Sequence, residues 1–304
     1  MKIIIPESIL PESLERLRAV HEVHFDPDLV ADRTTLVRAA RGAHAIIVRR
    51  LTQVRAELLD AMPDCRAVGR LGVGLDNIDV EACRARNIRV IPAVGANARS
   101  VAEYVVAAAM ILVRGVFFST ADVADCRWPK EVLNNGREVA GLTMGIVGLG
   151  SIGRNTAALA RNVGMRVVAC GRPGLRGIGE GVEWLTLPEL LGTSDVVSLH
   201  LPLSAQTWGL IDRAAIATMK PGAILINAAR GGIVDDAALI EALRAGRLGG
   251  AAIDAFESEP LVAGNIYEGV PNLILTPHIA GVTRDSERRV NRMVVDKVLE
   301  ALAS

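Results

Sequence analysis

Residues 145–153 read GIVGLGSIG, a glycine-rich turn between an apolar run and a stretch with helical spacing. In such a turn the first glycine permits a tight bend, the second lets the backbone approach a pyrophosphate, and the third lets the helix pack closely on the strand. The phosphates of a dinucleotide then lie at the helix N-terminus. The stretch therefore predicts a dinucleotide site, with an ordinary glycine-rich turn as the alternative. The residues expected at the cofactor are Gly148, Gly150, Ser151, Ile152 and Gly153.

The sequence after this turn lacks the acid that usually holds the adenosine ribose. No Asp or Glu occurs between Gly148 and Glu180, whereas five arginines do. Gly171 stands roughly where the acid is expected, and Arg172 follows it. A carboxylate there would repel a 2′-phosphate, whereas a guanidinium pairs with one through two hydrogen bonds. The stretch therefore favours NADP(H) over NAD(H), with a solvated Arg172 beside an undiscriminating pocket as the alternative.

The overall composition narrows the class of protein. The 304 residues suffice for two domains, and Lys plus Arg equals Asp plus Glu at 34 each. This balance favours neither nucleic acid nor a membrane as a partner. The four cysteines form no C-x-x-C pair, which argues against a metal site or a disulfide framework and suits the reducing cytoplasm. We find no signal peptide and no apolar run near the ~18 residues of a membrane span, so we expect a cytoplasmic protein.

Strand and helix patterns alternate along the chain, which predicts parallel sheets covered by helices, an α/β fold. One alternation runs from KIII near the N-terminus to IRVIP at residue 92, and a second begins at Thr143. Between them, a helix from Ser100 is apolar on nearly all sides, which predicts complete burial in a core or between subunits. An irregular stretch is expected over 119–141. The simplest organisation is two similar halves that join near residue 97.

Several motifs carry a resemblance to a known family. They are VGRLGVGLDNID (68–79), LHLPL (199–203), NAARGGIVD (227–235), DAFESEP (254–260) and PHIAG (277–281). In this order, and over essentially the whole chain, they resemble the D-isomer-specific 2-hydroxyacid dehydrogenases. The resemblance implies two Rossmann-like, doubly wound parallel-sheet domains with the active site in the interdomain cleft. The implied substrate-binding domain is 1–97 plus 283–304, and the dinucleotide-binding domain is 98–282. A homodimer formed by the apolar helix and the arm around Trp128 is also implied.

The resemblance assigns catalytic roles to three residues. Arg230 would bind the substrate carboxylate and carbonyl, His278 would move the hydroxyl proton, and Glu259 would partner the histidine. These residue types suit the chemistry, because histidine titrates near neutrality and a neighbouring carboxylate stabilises the imidazolium and fixes its tautomer. Taken singly, each could be a surface or turn residue, but together they favour catalysis. Further residues that the resemblance places at the cofactor are His200, Pro202, Thr207, Ala228, Ala229, Asp254 and Gly281.

The first half of the chain should supply the substrate pocket. Backbone amides of the turn Gly72-Val73-Gly74 can bind a carboxylate. Arg49 and Arg70 match positions that face a second anionic group in this family, although salt bridges within the protein are an alternative role for both. We therefore expect these five residues, with the catalytic arginine and histidine, to contact a 2-hydroxy or 2-oxo acid with two negative ends. Sulfolactate is the favoured example and phosphoglycerate a related one.

Two other functions stay open at this point. A glyoxylate or hydroxypyruvate reductase would share these motifs and differ in its substrate. A non-catalytic dinucleotide-sensing protein of the same architecture could retain the catalytic residues, and only turnover separates it from an enzyme.

Overall fold

The computed structural model describes residues 1–171 and 182–303, which form two compact units. The first unit consists of Met1–Asn97 together with Val282–Ser304, and the second consists of Ala98–Gly281. The chain therefore passes between the units twice, after Asn97 and after Gly281. Each unit contains one parallel sheet, which confirms the predicted α/β fold.

The sheet of the first unit has five strands in the order β2-β1-β3-β4-β5. The strands are β1 (Lys2–Ile5), β2 (Glu22–Phe25), β3 (Ala45–Val48), β4 (Ala67–Arg70) and β5 (Arg89–Pro92). The helices of this unit are α1 (Pro11–Arg18), α2 (Arg33–Ala40), α3 (Ala56–Asp60), α4 (Val80–Ala85) and, at the end of the chain, α12 (Arg284–Ala303). Strands β1 and β3 are almost wholly apolar because helices cover both faces of the sheet.

Helix α12 packs directly on the middle of this sheet. A Cβ atom at Gly69 of β4 would lie 2.9 Å from methyl groups of both Val294 and Val298, so only glycine allows the helix to approach this closely. Val294 and Val298 are fully buried. The last helix is therefore an integral part of the core of the first unit.

The sheet of the second unit has seven strands in the order β12-β11-β10-β9-β6-β7-β8. The strands are β6 (Thr143–Val147), β7 (Arg166–Cys170), β8 (Glu183–Trp184), β9 (Val196–Leu199), β10 (Ile224–Asn227), β11 (Gly250–Ile253) and β12 (Leu273–Leu275). The helices are α5 (Ala98–Arg114), α6 (Thr120–Ala124), α7 (Lys130–Leu133), α8 (Ser151–Asn162), α9 (Leu187–Thr193), α10 (Arg213–Thr218) and α11 (Asp236–Arg244). The strand order reverses between β6 and β9, the place where open parallel sheets bind ligands.

Two features of the second unit differ from the sequence prediction. Helix α5 buries one face, but Glu103 and Met110 lie on an exposed face, with Met110 43% exposed, so complete burial in the core of this chain is wrong and burial between subunits stays a prediction. The stretch predicted to be irregular contains α6 and α7, which are too short for a clear period in the sequence. Within 1–171 and 182–303, no single helix is long and apolar enough to cross a membrane, and α5 with the helical segment 116–124 passes that test only as a pair bent by 70°.

Candidate active site

A histidine–carboxylate pair lies beyond the carboxyl ends of β11 and β12. His278 Nδ1 is 2.8 Å from Glu259 Oε1 and 3.0 Å from Oε2. An ionised carboxylate only accepts hydrogen bonds, so Nδ1 must carry the donated proton. The Glu259 contact therefore leaves Nε2 of His278 as the nitrogen that can exchange a proton with a substrate.

The backbone around His278 is held by a buried aspartate. His278 has a φ of 53°, a left-handed backbone conformation that residues other than glycine rarely adopt. Asp254, which is 2% exposed, accepts hydrogen bonds from the backbone N–H groups of Ile279 at 2.8 Å and Ala280 at 2.9 Å. These two bonds fix the peptides that follow the histidine. Asp254 therefore positions His278. This role does not depend on any contact that Asp254 makes with a cofactor.

Two hydroxyl groups extend this network toward helix α5. Thr276 Oγ1 donates to Asp254 Oδ1 at 2.6 Å, and the Tyr104 hydroxyl lies 2.7 Å from Thr276 Oγ1. Burial raises the pKa of Tyr104, so the phenol is protonated and able to donate. The network thus connects the helix to the loop of the candidate catalytic histidine.

Arg230 lies in the loop after β10, which a buried asparagine holds in shape. Asn227 is 1% exposed; its Nδ2 donates to the Arg230 carbonyl at 2.9 Å and its Oδ1 accepts from Ala229 N at 3.1 Å. Arg230 Nη1 donates to the Ala229 carbonyl at 2.7 Å. The predicted cofactor residues Ala228 and Ala229 belong to this same loop.

The loops of Arg230 and Glu259 touch at Gly231. A Cβ atom at Gly231 would lie 2.0 Å from the carbonyl carbon of Phe256, so the two backbones are in direct contact. The N–H of Phe256 donates to Glu259 Oε1 at 3.1 Å. The structure therefore brings the three predicted catalytic residues onto two touching loops and the neighbouring loop after β12.

The predicted dinucleotide turn has the geometry that its glycines suggest. Gly148 has a φ of 99°, and a Cβ there would lie 2.5 Å from the His200 carbonyl oxygen. A Cβ on Gly153 would lie 2.2 Å from the Gly148 oxygen, whereas one on Gly150 would meet no atom within 4 Å. Helix α8 begins at Ser151 without a side-chain cap on its first N–H groups. Open space beside uncapped N–H donors fits a pyrophosphate.

The remaining predicted cofactor residues surround the same end of the sheet or lie near it. Gly171 follows β7, and a Cβ there would lie 3.5 Å from the ring of Trp184. Thr207 Oγ1 donates to the Pro202 carbonyl at 2.7 Å and closes the loop after β9. Ile152 lies in the first turn of α8, and Gly281 is the last residue of the second unit. Arg172 lies outside the residues that the structure describes.

His200, immediately after β9, is a partly buried neutral histidine. Its Nε2 lies 3.0 Å from Ser198 Oγ, and its buried Nδ1 has no hydrogen-bond partner within the described ranges. Burial lowers the pKa of His200 to about 4. The imidazole is therefore uncharged near neutral pH.

In the first unit, the predicted substrate residues form two arrangements. The Arg70 guanidinium lies across the Gly72-Val73-Gly74 turn: Nη1 donates to the Leu71 carbonyl at 2.9 Å, and a Cβ on Gly72 would overlap Nη1 at 1.6 Å. Val73 and Gly74 are partly exposed. Arg49 forms a salt bridge with Glu287: its Nη2 lies 2.7 Å from Glu287 Oε1.

The sequence prediction missed several residues of the site. Thr276 precedes the histidine motif by two positions and could have been included on that ground. Tyr104 gave no signal, because it lies in an apolar helix 172 residues from its hydroxyl partner. Asn227 opens the NAARGG motif, but its role depends on the backbone path of the loop.

Comparison with known proteins identifies the family. The model for the NAD-binding domain of D-isomer specific 2-hydroxyacid dehydrogenases matches residues 106–280. The chain is 48% identical to (S)-sulfolactate dehydrogenase of Chromohalobacter salexigens, covering 99% of this chain and 98% of the relative. It is 37% identical to D-3-phosphoglycerate dehydrogenase of Mycobacterium bovis, covering 99% of this chain and 57% of the relative. A crystal structure of a protein from Thermus thermophilus matches with a TM-score of 0.89 at 35% identity, covering 100% of this chain and 97% of that one. The chain therefore belongs to the D-isomer-specific 2-hydroxyacid dehydrogenases, oxidoreductases that use a nicotinamide cofactor.

Proposed function

We propose that this enzyme interconverts a 2-hydroxy acid that carries a second anionic group, with sulfolactate favoured, and the corresponding 2-oxo acid. The observation that carries the proposal is the 2.8 Å contact between His278 Nδ1 and Glu259, which leaves Nε2 for the substrate proton. The name of the relative at 48% identity supports the choice of substrate. Arg49 and Arg70 match the family positions for the second anion and also support it.

Each residue of the candidate active site would have its own role in the reaction. His278 Nε2 takes the hydroxyl proton during oxidation and returns it during reduction, while Glu259 stabilises the imidazolium. Arg230 binds the substrate carboxylate and polarises the carbonyl during reduction. In the turn Gly72-Val73-Gly74 the Gly72 N–H donates to the Arg70 carbonyl at 2.7 Å, so the Val73 and Gly74 amides would bind the carboxylate as well. When bound, the nicotinamide supplies the hydride acceptor or donor.

The cofactor would be held mainly by the glycine turn and the start of α8. Gly148 and Gly153 close the turn, and the open space beside Gly150 receives the pyrophosphate at the helix N-terminus. Ser151 and Ile152 of the same motif would also contact the cofactor. The residues that the family resemblance adds along the cofactor are His200, Pro202, Thr207, Ala228, Ala229, Asp254 and Gly281.

The proton-transfer role is tested with His278→Ala. Removal of a general acid–base group should lower kcat by ~10²–10⁴-fold while cofactor affinity, measured by fluorescence titration, changes little. The control is His24→Ala, because His24 is an exposed residue of the first unit and belongs to no proposed site. Unchanged turnover in His278→Ala would remove this residue from the mechanism.

The substrate is tested by profiling the purified enzyme with sulfopyruvate, 3-phosphohydroxypyruvate, hydroxypyruvate and glyoxylate. A substrate with two negative ends should give the highest kcat/KM. A preference for glyoxylate or hydroxypyruvate would assign a reductase of monoanionic acids instead. Cofactor binding without turnover of any acid would point to a dinucleotide-sensing protein.

NADP(H) is the preferred cofactor in this proposal, with NAD(H) as the alternative. Support comes from the missing acid: position 171 is glycine, and Glu183 at the start of β8 is ion-paired with Arg166. Arg172→Ala should therefore weaken NADPH binding more than NADH binding. Arg213→Ala, on the surface of α10, is the matched control. Equal losses for both cofactors would contradict a 2′-phosphate contact.

A homodimer is proposed because a cluster of apolar side chains is exposed along 116–133. The fractional exposures are 60% for Phe117, 45% for Phe118, and 77% for both Trp128 and Val132. Exposed apolar patches of this kind mark association surfaces. Light scattering should give twice the protomer mass, and Trp128→Arg should lower it. A monomeric mass for the wild-type protein at micromolar concentration would refute the dimer.

A cytoplasmic location is part of the same proposal. The four cysteines are free thiols, three of them buried, as expected in a reducing compartment. Recovery of the activity in the soluble cytoplasmic fraction of the native cell is the expected result, and recovery outside that fraction would contradict it.

A further inference from the structure

The loop 49–52, which follows β3, has no backbone donors left for a ligand. The carboxylate of Glu7, a residue 6% exposed, accepts hydrogen bonds from all four N–H groups of this loop at 2.8 to 3.2 Å. Asn77 Nδ2 donates to the carbonyls of Arg49 and Thr52 at 3.1 and 2.7 Å. A substrate anion at this loop must therefore be bound by side chains.

The Arg49 side chain is already paired with a carboxylate. Its Nη2 lies 2.7 Å from Glu287 Oε1, with the two side chains only 26% and 20% exposed. Ser8 Oγ is a further acceptor, 3.3 Å from Nη1. Glu287 stands in the first turn of α12, and its helix is anchored by Asn291 Oδ1, which accepts from Leu10 N at 3.1 Å. The pair is thus built into the packing of α12 on the first unit.

We propose that Glu287 sets the charge of the second anionic group that this enzyme accepts, favouring a singly charged sulfonate over a doubly charged phosphate. The inference rests on the proposed function, in which Arg49 faces that group. Beside a lone arginine, a phosphate ester of about −1.5 to −2 charge would gain nearly twice the attraction of a sulfonate.

The Glu287 carboxylate, which is paired with Arg49, removes this advantage of the phosphate. Arg49 and Glu287 together carry no net charge, so a second negative charge on the ligand gains little from the pair. The cost of removing the ligand from water grows with its charge and remains. The singly charged group is therefore favoured at this position.

The test is a charge series at the pair, measured with the whole chain. The ratio of kcat/KM for 3-phosphohydroxypyruvate to that for sulfopyruvate is determined for the wild type and three variants. Glu287→Gln, which keeps a hydrogen-bond acceptor for Arg49, should raise the ratio by about tenfold. Arg49→Ala should lower it, and the double variant should return it near the wild-type value, because its net charge is again zero.

Asp296→Asn is the matched control. It removes the ion pairs that Asp296 of α12 makes with Arg16 and Arg292, and should leave the ratio unchanged. Glu287→Ala replaces Glu287→Gln if thermal unfolding shows the latter to be misfolded, with the same expected sign.

The outcomes separate this inference from the proposed function. Turnover of both substrates with a ratio that Glu287→Gln leaves unchanged, or lowers, would overturn the inference and leave the proposed function standing. A wild-type enzyme that reduces no 2-oxo acid would refute the proposed function, and the inference with it.

Discussion

The contact between the loops of Arg230 and Glu259 depends on the absence of a side chain at Gly231. A Cβ there would lie 2.0 Å from the Phe256 carbonyl carbon, 2.1 Å from its oxygen and 2.2 Å from Glu257 N. Carbon atoms in contact need ~3.5 Å, so Gly231→Ala must separate the segments by about 1.5 Å. All three neighbours are backbone atoms, and no change of rotamer can relieve the overlap.

This displacement acts on the catalytic pair through Phe256. Its N–H donates to Glu259 Oε1 at 3.1 Å, and the same oxygen lies 2.8 Å from His278 Nδ1. Overpacking typically costs ~1–3 kcal/mol of unfolding free energy. A displacement of about 1 Å can reduce a rate by ~10²-fold. We therefore expect Gly231→Ala to lower kcat by ~10²-fold with a loss of stability of ~1–3 kcal/mol.

Steady-state kinetics at saturating substrate and urea unfolding measure the two effects. The control is Gly192→Ala in α9, where a Cβ would lie 3.7 Å from the Thr218 carbonyl oxygen, an ordinary contact. It should keep the wild-type kcat, and alanine suits a helix better than glycine does. A folded Gly231→Ala protein with the wild-type kcat would refute the proposed coupling between the loops.

Two further predictions concern buried titratable groups. Burial lowers the pKa of His200 from 6.5 to about 4, so protonation favours the unfolded chain: the unfolding free energy should fall by up to roughly 3 kcal/mol as the pH drops through this window. His200→Gln should lose that part of the pH dependence in urea unfolding from pH 7 to 4, and an identical profile would contradict the assignment. The exposed Cys126 should be the one thiol that reacts rapidly with a thiol reagent at about pH 8, because thiolates are the reactive species. Burial raises the pKa of the other three thiols, to about 12 for Cys65 and about 11 for Cys83 and Cys170; fast reaction of a second thiol would refute this.

Much of the fold was predictable because buried parallel strands read as short apolar runs. AIIV of β3 and ILIN of β10 are wholly buried and were recognisable in this way. EVHF of β2 alternates between exposed and partly exposed positions at the edge of its sheet, and β8 has only two residues. Neither strand has a hydrophobic pattern that distinguishes it from the neighbouring loops.

The candidate site likewise contains residues that the sequence could predict and residues that it could not. Glycines 148 and 153 could be predicted, since tight bends and close helix packing leave a local signature. The Asp254 contacts with residues 276, 279 and 280 could not, because they depend on the path of a loop. The partner of Arg49 lies 238 residues away, and only the packing of the last helix determines which of the charged residues in α12 meets it.

The position of α12 has a consequence for the order of folding during synthesis. Its valines complete the core of the first unit, yet the ribosome makes them only after the whole of the second unit. The N-terminal 97 residues therefore emerge with an uncovered apolar sheet face, while the second unit has all of its chain available first. Nascent chains usually fold from the N-terminus, but here the C-terminal helix must close a contact of very long sequence separation. Until it does, the apolar face of the first sheet that the α12 valines cover stays exposed to solvent.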